Sequence, residues 1–327
     1  MIGQDTNIYK NVLELIGNTP LLLASNLDTG PCRLYLKIES ANPGGSIKDR
    51  IALFMIEEAE KKGQIAPGDT LIEATAGNTG VGLALVALQK GYRLQIIMPD
   101  KMSIEKKYCL EAMGAEVILT RSDVGKGHPQ YYQDLAQTIA SENGAFYVNQ
   151  FANRANVKAH YATTGPEIWQ QTGGAIDALV CGVGTGGTLS GAGSYLKECN
   201  PELEIILADP EGSLLAPLVE TGTPPEVIGS WFVEGIGEDF VPEICDLRLV
   251  DRAYSITDRE SFHTALDLLR LEGIMAGPSS GTLLAAALRY CRSSKSCKNV
   301  VSFVCDTGNR YLSKLYNRQW RQNHLGE

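Results

Sequence analysis

The chain is predicted to be an α/β protein of mainly parallel sheets with helices on both sides, and three observations carry that prediction. Short apolar runs alternate with helix-period segments along the chain. The 327 residues, 44% of them hydrophobic, can bury a large core and fit two packed lobes or one large α/β domain. No low-complexity segment, charge block, long linker or solenoid-period repeat breaks the alternation, so any two lobes must pack closely.

In chain order, LYLKI (34–38) reads as a buried strand, because a strand covered on both faces needs a nearly continuous apolar run. A helix over 47–62 follows, with Ile51, Phe54, Met55 and Ala59 on one face. A strand at Leu71 leads into a helix over 81–90, LQIIM (94–98) into a helix over 103–113, and then comes AEVIL (115–119). DALVC (177–181) precedes a helix over 189–198. EIILA (204–208), helices over 258–271 and 282–292, and the strand VVSFV (300–304) complete the pattern. Stretches rich in Pro, Gly and polar residues at 42–46, 122–130 and 220–230 are where lobe crossings or gating loops belong.

A net charge of −9 without a Lys/Arg stripe repels polyanions, so no nucleic acid is expected as a partner and a small-molecule substrate is. The opening MIGQDTNIYKN lacks a basic region followed by an apolar stretch. No later run approaches the ~18 apolar residues that span a bilayer, so no membrane partner and a cytoplasmic location are expected. The eight cysteines are scattered, with no CxxC pair and no His at ligand spacing. They suggest neither a metal site nor a disulfide framework, but reduced, mostly buried thiols. His128, His160, His263 and His324 lie outside the loops described next and read as surface or structural.

Four loops have the composition to carry chemistry. NPGGSIKDR (42–50) runs into a helix with Lys48 in the first turn, where the helix N-terminus disfavours a cation; one reason to keep a lysine there is that it forms an imine and loses its charge. The ordinary alternative is a helix capped by Ser46 with Lys48 in solvent. EATAGNTG (73–80) bunches hydroxyl, amide and glycine groups at a helix start, where backbone N–H groups bind a carboxylate and Asn78 can bond a phenolic oxygen. CGVGTGGT (181–188) follows a strand and opens a helix, a natural phosphate site. Its Gly182, Gly184 and Gly187 also satisfy the GxGxxG of dinucleotide binding, with Asp209 where a ribose-binding acid would stand, so an NAD-dependent dehydrogenase competes here. GPSSGT (277–282) offers a hydroxyl before a further helix, or a plain N-cap.

The set decides between these alternatives. A dehydrogenase has no use for the first two loops, whereas pyridoxal 5′-phosphate (PLP) needs one group per handle: Lys48 for the aldehyde, Asn78 for the 3′-oxygen, the 184–188 loop for the phosphate and a hydroxyl for the ring nitrogen.

At these residues the sequence resembles the fold-type II PLP enzymes, within them the group of cystathionine β-synthase and cysteine synthase. The resemblance covers nearly the whole chain, from LIGNTPL (15–21) through NPGGSIKDR, TAGNTG, GVGTGGT and GPSSGT to NRYL (309–312) and NRQW (317–320). It implies the two-lobed, tryptophan synthase β-like form of the α/β class, each lobe a mainly parallel sheet flanked by helices. Residues 43–153 would form a smaller mobile lobe, and 1–42 with 154–327 a larger lobe holding the phosphate site, with the active site between them. It further implies a homodimer, Lys48 as imine-forming base, Asn78 at the 3′-oxygen, and Gly184, Thr185, Gly186, Gly187 and Thr188 as phosphate cradle. Ser279 would face the ring nitrogen. The substrate carboxylate would meet Thr75, Ala76, Asn78, Thr79 and Gln150, with Gly235 of Gly235-Ile236-Gly237 at the entrance.

The implied reaction is β-replacement on L-serine or O-acetyl-L-serine by a thiol. The doubled glycine of NPGGSIKDR, AHY (159–161), DPEGS (209–213) and VEGIG (233–237) resemble cystathionine β-synthases, and Glu234 stands where cysteine synthases commonly have Gln. Phe151, where Tyr is typical, and Ala76, where Ser is usual, depart from the pattern and bear on the second substrate. The resemblance is to the catalytic core alone, so regulation through a haem-binding N-terminal extension or paired C-terminal domains is not expected.

Overall fold

The computed structural model describes residues 8–75, 77–100, 102 and 104–326, and in it each apolar run above becomes a strand. The chain begins with β1 (Leu21–Leu23), β2 (Arg33–Ile38), α1 (Lys48–Lys61), β3 (Thr70–Ala74), α2 (Asn78–Lys90), β4 (Arg93–Pro99), α3 (Ile104–Ala112) and β5 (Glu116–Thr120). It continues through α4 (Tyr132–Asn143), β6 (Phe146–Tyr147), α5 (Arg154–Ala159), α6 (Gly165–Gln171), β7 (Ala178–Cys181), α7 (Gly187–Cys199), β8 (Glu204–Pro210) and α8 (Leu215–Thr221). It ends with β9 (Arg252–Ile256), α9 (Asp258–Glu272), α10 (Pro278–Ser293), β10 (Asn299–Val304) and α11 (Arg318–Leu325).

The strands sort into two sheets. One has the order β1-β2-β10-β7-β8-β9 and is parallel except for β1, which runs antiparallel to β2 with Leu21 opposite Lys37. The other, β5-β4-β3-β6, is parallel throughout. Parallel sheets need cover on both faces, and the alternation of side chains along β3 shows it. Leu71 packs with Ile51, Met55 and Leu83 of α1 and α2, while Ile72 and Ala74 turn to Ala136 and Ala140 of α4. The six-stranded sheet is the centre of the larger core, where Val180, Leu207 and Val301 meet Phe262 of α9 and Leu284 of α10. Each such side chain contributes about 1.5–3 kcal/mol by leaving water.

The periodicity misplaces some boundaries. α2, α7 and α10 begin at Asn78, Gly187 and Pro278 rather than at 81, 189 and 282, because their first turns carry Gly, Thr, Asn and Pro, which have no apolar period. Of the α1 face, Ile51, Met55 and Ala59 are buried, but Phe54 is half-buried. Short β1, β6 and β9 and the helices α4, α5, α6, α8 and α11 were not marked by apolar runs; α4, for instance, buries only alanines. The 220–230 loop starts inside the last turn of α8. The cysteines are less buried than expected: Cys32, Cys181 and Cys291 are buried, Cys245 and Cys305 half-buried, and Cys109, Cys199 and Cys297 exposed.

Beneath the start of α1 a set of buried charges ties β2, α1 and α6 together. Arg50 pairs with Glu39 and Glu167, both at 2.7 Å, and Lys37, fully buried, reaches Glu167 at 2.7 Å. Thr19 Oγ1 donates to Glu39 at 2.6 Å. Charges can be buried here because each is paired.

Candidate active site

The lysine loop is laid along the end of β10. Ile47 N–H donates to Cys305 O at 2.9 Å, Thr307 N–H donates to Gly45 O at 3.0 Å, and Ser46 and Asp306 form an isolated bridge. Gly45 has φ +76°, a left-handed turn that favours glycine. These contacts set Lys48 as the first residue of α1, on the wall of a cleft enclosing about 540 Å³, part of it continuous with solvent. Burial pushes the Lys48 ammonium below its ordinary pKa, against the opposing charges of Glu238 and Asp306. The neutral amine is the form that attacks a carbonyl carbon or takes a proton.

Asn78, the first residue of α2, lines the same cleft. Opposite lies the 184–188 loop, entering α7 through Gly186 at φ +85°. Side chains have no room at the glycines of this loop. A Cβ on Gly184 would lie 2.4 Å from Gly235 O, one on Gly186 2.4 Å from Cys245 Cβ, and one on Gly187 1.8 Å from Asn156 Oδ1. The first N–H groups of a helix lack intrahelical partners and favour an anion. Ser279, in the first turn of α10, is buried in the wall beside Cys305, and Gly235 is exposed at the rim. Four distant segments thus bring Lys48, Asn78, Gly184–Thr188 and Ser279 to one cavity, with Gly235 at its edge.

Thr75, Thr79 and Gln150 form an adjoining buried cluster rather than part of the cavity wall. Thr79 Oγ1 donates to Gln150 Oε1 at 2.6 Å, and Thr75 Oγ1 accepts from Gly77 N–H at 3.2 Å. Gln150 is presented by Asn149 at φ +52°, a left-handed turn that asparagine tolerates, and its own N–H donates to Glu73 at 3.2 Å. Burial pushes the Glu73 carboxyl up to about 8. Ala76 lies outside the described residues. Phe151 packs on Phe240 with ring centroids 5.7 Å apart, which joins the Gln150 turn to the segment after the rim glycines.

Asp209 does not serve a dinucleotide ribose. It is fully buried, its Oδ2 accepts from Ala216 N–H at 2.8 Å at the start of α8, and it is absent from the cavity wall.

Several site neighbours carry no local sequence signal, because the fold imports them from elsewhere. Asn156 Nδ2 bridges Gln150 O at 3.0 Å and Thr185 Oγ1 at 2.9 Å. His160, structural but fully buried, sits 3.2 Å from Thr188 Oγ1 and starts a π-helical turn, a feature frequent at functional sites. Burial, with Arg50 and Lys48 adding to it, keeps its imidazole neutral. Cys305 lines the cavity as a thiol, pushed up to about 12 by burial and Asp306. Glu238, pushed up to about 8 by burial and Asp239, acts electrostatically on Lys48 from the segment following Gly237. Only its nearness to VEGIG could have suggested it.

The donor set suits PLP: an amine of lowered pKa, a side-chain amide, a glycine-lined anion cradle at a helix start and a neutral hydroxyl on one cavity. The family profile "Pyridoxal-phosphate dependent enzyme" matches residues 12–306. Among curated relatives, cystathionine beta-synthase of Apis mellifera is 42% identical over 98% of this chain and 64% of its own length, and that of Saccharomyces cerevisiae 41% identical over 98% and 66%. The Mus musculus enzyme of that name is 40% identical over 98% and 57%. The chain therefore spans about three-fifths of the length of these relatives. Among solved structures, a hydrogen sulfide-producing enzyme from Fusobacterium nucleatum superposes with TM-score 0.85 at 39% identity, covering 93% of this chain and 100% of the other. O-ureido-L-serine synthase superposes at 0.89 with 32% identity, covering 98% and 100%.

Proposed function

The chain belongs to the pyridoxal-phosphate dependent enzymes, and from that premise we propose that it replaces the β-substituent of L-serine or O-acetyl-L-serine with a thiol, foremost joining serine and homocysteine into cystathionine. The observation that carries this reading is the convergence of Lys48, Asn78, the 184–188 loop and Ser279 on one cavity.

The 184–188 loop would hold the phosphate and Asn78 the 3′-oxygen, and Ser279 would offer the ring nitrogen a neutral hydroxyl. Thr75, Ala76, Thr79 and Gln150 bind the substrate carboxylate together with Asn78, and Gly235 lines the approach. PLP, when bound, supplies a conjugated ring that accepts the electrons left at Cα when its proton is removed. Lys48 takes that proton as general base. Hydroxide or acetate leaves Cβ with the bonding electrons, the sulfur of the second substrate gives up its proton to the departing group or solvent and forms the new bond there, and Lys48 returns its proton to Cα. Residues 43–153 act as a smaller mobile lobe against 1–42 plus 154–327, the protein works as a homodimer, and its location is cytoplasmic.

A second reading, cysteine synthesis from O-acetylserine and sulfide, is favoured by Phe151, which stands where cystathionine β-synthases typically have Tyr. Size differences between such substrates are worth only ~1–3 kcal/mol, so both donors must be assayed against both nucleophiles and kcat/KM compared. The highest value is expected for serine with homocysteine; turnover of O-acetylserine with sulfide alone would replace the first reading by the second.

A further inference from the structure

The Asn78 amide is gripped at both ends. Arg310 Nη1 donates to its Oδ1, and its Nδ2 donates to Asp306 Oδ2 at 2.8 Å. The same Asp306 oxygen accepts the Tyr311 hydroxyl at 2.7 Å, and Arg310 Nη2 donates to Gly44 O in the lysine loop. Flipping the amide would set Nδ2 against the guanidinium and Oδ1 against the carboxylate, so charge fixes its orientation. An amide nitrogen carries two hydrogens and Asp306 takes one. Since Asn78 lines the cavity, the other is the donor it keeps for a ligand oxygen.

Asp306 is also where three of the four loops meet. It bridges Ser46 of the lysine loop, accepts from Gly277 N–H at 3.3 Å and holds Asn78. The residue is 1% exposed, and its second oxygen, Oδ1, is buried without a hydrogen-bond partner among the described residues. A Cβ on Gly277 would lie 2.2 Å from that oxygen, so the glycine admits the carboxylate.

We propose that Asp306 and Arg310 are positioning residues that act through Asn78, aiming its remaining Nδ2–H at the cofactor's 3′-oxygen. This rests on the reading of the cavity given above.

The test is a double-mutant cycle of Asp306→Asn with Asn78→Ala. It is read as the PLP dissociation constant of cofactor-stripped protein and as the position and pH midpoint of the visible band of loaded protein. Asp306→Asn alone is expected to weaken PLP binding roughly tenfold, the loss of a charge-assisted hydrogen bond, and to move the band. In the Asn78→Ala background it is expected to change neither further. Additive effects would mean that Asp306 only ties loops together, which overturns the proposal. Should Asp306→Asn fail to fold, Arg310→Gln replaces it in the same cycle with the same expectation. A wild-type protein that takes up no PLP overturns the cavity reading and this inference with it; one that loads but gives an additive cycle overturns the positioning alone.

Discussion

A lysine at the first position of a helix faces the positive end of the helix dipole, and at position 48 burial adds to that penalty. Both effects shift Lys48 toward the neutral amine, the form that the proposed chemistry uses. Ser279 makes the complementary choice: a hydroxyl can share a hydrogen bond with a ring nitrogen but cannot hold a proton there as a carboxylate would. Ser279→Asp is therefore expected to slow β-replacement by roughly tenfold or more while cofactor stays bound. Stopped-flow and steady-state rates check this, and an unchanged rate with full cofactor occupancy would contradict the role. Lys48, Asn78 and Ser279 were legible because each sits in a contiguous loop that announces a helix start. Asp306, Asn156 and His160 were not, since their relevance arises from contacts with residues far away in sequence.

At the scale of elements, four loops precede helices whose first turns carry the site, and the cradle loop is packed so closely that only glycine fits at 184, 186 and 187. The periodicity marks the helix bodies and misses the first turns of α2, α7 and α10, so much of the chemistry falls where the pattern is silent. What holds α1 in place is the buried charge set. Burial alone would raise the Glu167 carboxyl, but the hydrogen bonds and charges of Arg50 and Lys37 overcome it and hold it down to about 2. A folded-state pKa below the ordinary 4.5 contributes stability that is complete above 4.5 and lost as pH falls toward 2. Glu167→Gln leaves the buried Lys37 without its ion-pair partner and Arg50 with Glu39 alone, so it is expected to destabilise the fold by about 3–5 kcal/mol at pH 7. Urea midpoints of both proteins should converge as pH drops through that window. A gap independent of pH would show that the carboxylate charge is not what matters.

At the scale of the whole molecule, two mainly parallel sheets are formed by different stretches of chain, and the proposed site lies where their loops meet. The alternation of strands and helices announced the α/β class and most strands of both sheets, because buried parallel strands must be apolar along their length. The strand order, with β10 inserted between β2 and β7, was not legible, since neighbours in a parallel sheet are chosen by crossover and packing rather than by local pattern. The lysine, the amide, the phosphate cradle and the hydroxyl make one site only if that topology brings them together. The most direct measurement is to load the purified protein with PLP, reduce it with borohydride and map the labelled peptide. A visible band that borohydride removes, with the label on Lys48 alone, is expected. A colourless protein, or a label on any other lysine, would contradict the assignment.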